Sequence, residues 1–202
     1  MHVQVVSDRH DSATLIRVEF CKVVEKHPLI SERMTAEREP LSVMTVLLRL
    51  RNDFYSAETC FNQYADKTCI EFDPVLYGSD LDRVLAHEFS HVLDRINPES
   101  YWDYEVEANA QRLTLEGVPL DQFSIFKHIW NCYIDGRLEQ SDMNPKNLKE
   151  RVKELLEHTK NFGQFDAAIN EVIKKAWYAK NLSLKNMIEL SEDCLQYWHP
   201  NS

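Results

Sequence analysis

The chain has 202 residues, 44% hydrophobic and 28% charged, with a formal net charge of −10 at pH 7. That length suits one domain, or a small catalytic domain with a helical appendage, and it can bury a substantial core. The acidic excess argues against a phosphate-backbone binder and against an anionic membrane surface, so neither nucleic acid nor membrane is an expected partner.

No apolar segment follows Met1, and no run approaches ~18 apolar residues, so a cytoplasmic protein is expected. The five cysteines (Cys21, Cys60, Cys69, Cys132, Cys194) are odd in number and scattered, which suits a reduced compartment better than a disulfide framework. Each of the four glycines (Gly78, Gly117, Gly136, Gly163) is read as marking an element boundary.

Residues 2–6 alternate like a short strand, whereas 12–26 suit a helix or a long strand. Residues 41–51 are ambiguous too, because Val43, Val46, Leu47 and Leu50 fit a helix while the β-branched content permits a strand. Residues 58–64 and 68–72 read as paired strands around Ala65-Asp66-Lys67, where Cys60 and Cys69 could face each other as reduced residues.

The next segment, Val84 to Leu93, contains His87-Glu88-Phe89-Ser90-His91 and has no other charged residue. It therefore reads as a helix buried on most sides, begun after Gly78-Ser79-Asp80 and stopped at Asn97-Pro98. Histidines four apart share one helix face and can reach one metal ion, while the adjacent glutamate can take a proton from a metal-bound water. A buried helix with two hydrogen-bonded histidines is the plainer alternative.

Catalytic zinc usually has three protein ligands and keeps a fourth position for water. Asp94 shares the histidine face but lies about 10 Å along the axis from His87, so it suits a supporting position better than ligation. The stretch Tyr101 to Gly117 reads as a returning helix carrying Glu105 and Glu107. Their faces differ by about 200°, so only one can point at the metal. Asn109 shares a face with Glu105, as expected when a carboxylate ligates and an amide orients a ligating histidine, and this makes Glu105 the preferred ligand over Glu107.

His87-Glu88-Phe89-Ser90-His91 followed by Glu105-Val106-Glu107-Ala108-Asn109 resembles the gluzincin branch of the zincin metallopeptidases. The wording is similar to that of the ImmA/IrrE-like intracellular metallopeptidases, over roughly residues 68 to 118. Ala110-Gln111-Arg112 departs from that pattern, in which an aromatic residue usually follows Glu-Ala-Asn. The resemblance implies one Zn²⁺ on His87, His91 and Glu105, with Glu88 as general base and Asn109 behind a ligand. It also implies that an edge strand near the metal helix pairs with extended substrate, and 68–72 is the candidate.

From residue 119 onward the pattern is wholly helical. Pro119 opens a helix with Phe123, Phe126, Trp130 and Tyr133, and Pro145 opens a second with Leu148, Val152, Leu155 and Leu156. Residues 164–180 and 183–198 supply two more, and all four stripes read as core. His128, Tyr101, Tyr104 and Tyr133 are weighed as oxyanion donors, but packing or hydrogen-bonded roles are favoured. His2, His10, His27, His158 and His199 are read as surface residues.

The expected fold is α+β: a zincin-like small N-terminal sheet, a metal-binding helix pair and a mostly helical C-terminal half. Residues 1–118 form the catalytic region and 119–202 the helical region, expected to pack as one compact unit. The expected function is a zinc-dependent metallopeptidase acting on a peptide or protein. The alternative is a catalytically silent zincin-fold binding or regulatory module, of the toxin–antitoxin kind. A second alternative is a structural metal domain whose open coordination position is filled by a side chain; the intact Glu88 counts against both.

Overall fold

The computed structural model describes residues 2–7, 10–27, 45–50, 58–62, 67–72, 80–96, 101–110, 125–141, 143–159 and 166–196. In chain order the elements are β1 (His2–Ser7), α1 (His10–Lys26), β2 (Thr45–Leu50), β3 (Glu58–Asn62), β4 (Lys67–Phe72) and α2 (Leu81–Ile96). They continue with α3 (Tyr104–Ala110), α4 (Ile125–Glu139), α5 (Leu148–Thr159), α6 (Asp166–Trp177) and α7 (Leu184–Gln196).

Helices hold 80% of the residues in these elements, so the expected α+β class is corrected to a mostly helical chain. Part of the reason is that the run around 12–26, open between helix and strand, is a 17-residue helix, whereas no strand among the described residues exceeds six residues. The strands are ordered β1-β2-β4-β3. β1 pairs parallel with β2, β2 parallel with β4, and β4 antiparallel with β3.

That order overturns the choice of 68–72 as the substrate-pairing edge. β4 is flanked by β2 and β3, so its backbone ladder is used on both sides. The hairpin register sets Cys60 directly opposite Cys69.

The chain divides into two compact units, Met1–Ile96 and Asn97–Ser202, ahead of the boundary read at 118. In the first unit α1 packs on β1 and on α2, and α2 packs on β3 and β4. Leu48 and Ile70 are register partners on one sheet face and are fully buried. Ile16, Phe20 and Val23 of α1 are buried with Val84, Leu85, Phe89 and Val92 of α2. Phe20 meets Phe89 edge to face at 5.3 Å, a geometry that adds about 0.5–1.5 kcal/mol beyond area burial.

In the second unit α4 is central, touching α5, α6 and α7. It buries Phe126, Ile129, Trp130, Tyr133, Ile134 and Leu138, in keeping with its aromatic stripe. Gly136 lies inside α4 rather than at a boundary, and a Cβ there would stand 2.1 Å from the Trp177 carbonyl oxygen. The missing side chain lets α4 and α6 approach backbone to backbone.

Local capping sets the helix starts. Asn147 Oδ1 accepts from Glu150 N–H at 3.0 Å while Asn147 N–H donates to Glu150 Oε2 at 2.9 Å, a capping box that begins α5 after Pro145. Ser183 and Asn186 make the same reciprocal pair at the start of α7. The buried Asp135 of α4 receives Arg151 Nε of α5 at 2.5 Å, and Arg151 Nη1 also donates to Glu154 at 3.0 Å.

Candidate metal centre

α2 begins just after Asp80, whose carboxylate pairs with Arg83 at 3.1 Å, and Asp82 adds a negative charge in the first turn. Both suit the positive end of the helix dipole. The segment Val84 to Asp94 is buried without interruption, in keeping with the lack of charged residues other than the His87, Glu88 and His91 set between Val84 and Leu93.

His87, Glu88 and His91 are 8%, 7% and 7% exposed, and one potential ligand atom from each lies within 4.8 Å of the others. The two imidazoles are 5.0 Å apart at their centroids and inclined at 79°. Crossed rings one helical turn apart can aim a nitrogen each at one point, which is the geometry the spacing predicts. Two imidazoles and a carboxylate form an oxygen and nitrogen donor set of the type that zinc accepts. The residues therefore fit a metal. Asp94, three residues beyond His91, is also buried.

The proposed third ligand belongs to the second unit. Asp103 caps α3, its Oδ1 accepting from Glu105 N–H at 2.9 Å and from Val106 N–H at 3.0 Å. Glu105 is exposed, whereas Glu107 is buried and its Oε2 accepts the Trp102 indole N–H at 2.7 Å. Trp102 in turn stacks on Trp130 of α4 at 4.4 Å. Helix α3 is described from Tyr104 to Ala110, while the rest of the expected returning helix and the Asn109 side chain lie outside the described residues.

Among the other candidates, His128 is buried in α4, and the Tyr133 hydroxyl accepts from Leu182 N–H at 3.1 Å. Tyr101 is exposed and adopts a positive φ of 49°. The side chains of His2, His10, His158 and His199 lie outside the described residues.

His27 corrects the surface reading. It is fully buried, and its Nε2 lies 2.9 Å from Ser90 Oγ, inside the His-Glu-x-x-His segment. The signal was present in the sequence: Ile16, Phe20, Val23 and His27 follow one helical stripe whose first three members are apolar and buried.

Comparison with family models, curated proteins and solved structures gives no match for this chain. The gluzincin resemblance rests on its motif residues alone.

Proposed function

We propose that the protein is a zinc-dependent peptidase. The observation that carries this reading is the convergence of His87, Glu88 and His91 within 4.8 Å on one buried helix. A purely structural site has no use for a base beside the two imidazoles, whereas a hydrolase needs one there.

His87 and His91 would hold the ion, with Glu105 as the third protein ligand on the sequence grounds given above. Glu107 is the rival that the sequence leaves for that position. Bound zinc supplies Lewis acidity, which acidifies water and polarises a carbonyl. The Glu88 carboxylate takes the proton of the attacking water and later delivers it to the leaving amine nitrogen as the C–N bond breaks. Its burial limits competing water. Strand β3, an edge of the described sheet against which α2 packs, offers backbone donors and acceptors to an extended peptide.

Among the described residues no helix is long and apolar enough to cross a membrane. Free thiols at Cys21, Cys132 and Cys194 support a reducing, cytoplasmic setting.

The test is cleavage of a denatured-protein or peptide-library substrate by wild type and Glu88→Gln, with zinc content measured on both. Zinc retained in both and cleavage lost in the variant is the expected result. Zinc retained by a wild type that cuts nothing favours the silent binding module.

A further inference from the structure

We propose that His27 is a positioning residue for the metal-binding face of α2, acting through Ser90. The inference rests on the metal reading of His87 and His91. His27 directly follows α1, is fully buried, and meets Phe89 edge to face at 5.7 Å. Phe89 is itself locked against Phe20, so the imidazole sits within the apolar contact between α1 and α2.

The hydrogen bonds have a definite sense. Ser90 Oγ lies 2.9 Å from the Ala86 carbonyl oxygen, which can only accept, so the single hydroxyl proton goes there. Ser90 Oγ must then accept from His27 Nε2–H at 2.9 Å, which fixes the proton of the imidazole on Nε2. The result is a directed chain from α1 into the backbone of α2, ending one residue before the first histidine of the metal pair.

This matters because apolar contacts are non-directional and tolerate small rotations of one helix on another, whereas a hydrogen bond does not. Rotating α2 by about 20° moves a side-chain atom at a radius of roughly 6 Å by about 2 Å. That is the length of a whole zinc–nitrogen bond, ~2.0 Å. Since His27 and Ser90 sit at the α1–α2 contact, their bond fixes the rotation that α2 presents to a metal. An apolar residue at 27 would preserve burial and lose this constraint.

The experiment uses the full chain with His27→Leu, Ser90→Ala, the double variant and His27→Gln. Three quantities are read: zinc affinity by chelator competition, the visible absorption of the Co²⁺-loaded protein, and Tm of the metal-free protein. His27→Leu and Ser90→Ala should each weaken zinc by about 10-fold and alter the Co²⁺ spectrum. The double variant should be no worse than the poorer single one. His27→Gln, which keeps a donor near the Nε2 position, should bind zinc like wild type. Ser90→Ala with unaltered zinc affinity and Co²⁺ spectrum overturns the positioning role, even if Tm falls. So do losses in the two single variants that add in the double. If His27→Leu does not fold, Ser90→Ala against wild type decides the matter. A wild type that holds no zinc instead overturns the metal reading, and this inference with it.

Discussion

Removing either partner of the Asp135–Arg151 pair should destabilise the second unit more than removing both. The carboxylate and guanidinium are 1% and 7% exposed at their side chains and joined at 2.5 Å. Burial and the two acidic partners work against each other on Arg151, and Asp135 with Glu154 keep it charged. Asp135→Ala still leaves that buried cation Glu154 as an acceptor at 3.0 Å, so the loss should fall near the lower end for a broken buried pair, about 3 kcal/mol. Arg151→Met takes the cation from the more deeply buried carboxylate and should cost about 3–5 kcal/mol. Asp135→Leu with Arg151→Met removes both charges and should lie within about 1 kcal/mol of wild type. The cycle can be read by tryptophan fluorescence in urea, because Trp102, Trp130, Trp177 and Trp198 all lie in Asn97–Ser202. With m of about 1–3 kcal/mol/M, the single variants should lower Cm by roughly 1–5 M. A double variant as unstable as the sum of its singles would refute the reasoning, since it would mean that the pair is not coupled.

Gly136→Ala should destabilise by at least about 1–3 kcal/mol in the same fluorescence assay, although alanine ordinarily favours a helix interior, because its Cβ meets backbone at Trp177. Acid should weaken the second unit through Glu154. Burial alone would push its carboxyl up, but the hydrogen bond from Lys146 and the charges of Arg151 and Lys146 hold it below the usual value. A depressed carboxyl contributes stability that is present above its unfolded pKa and lost as pH falls through its folded pKa, so Glu154→Gln should flatten the stability profile below about pH 4.5. Burial pushes the Cys132 and Cys194 thiols up to about 12, so at pH 8 both should react with a thiol reagent only as fast as the second unit opens. Labelling of either in the native protein at the rate of a denatured control contradicts that.

The helical second half was legible because its signals are local. Pro145 stands just ahead of α5, and the Phe126, Trp130 and Tyr133 stripe lies in the buried face of α4. The hairpin of β3 and β4 was likewise written in adjacent alternating runs. Strand order was not legible, because nothing within Lys67–Phe72 says that β2 pairs on its far side. Short parallel strands also carry the same β-branched and leucine content as a buried helix, which is why Thr45–Leu50 is ambiguous by pattern. The His87, Glu88 and His91 set was fully visible, since one helix supplies it and helical spacing fixes its geometry. The burial of His27 was legible in its stripe with Ile16, Phe20 and Val23, but its partner was not, because Ser90 is 63 residues away. Gly136 was misplaced for a similar reason, as its role depends on Trp177 of another helix.

The central claim is that α2 carries a metal centre, and the most direct measurement is zinc stoichiometry after loading and desalting. Wild type should retain one zinc per chain, whereas His87→Ala and His91→Ala should each lose it while keeping the helical circular dichroism of the folded protein. Zinc absent from the wild type, or retained equally by both histidine variants, would contradict the account.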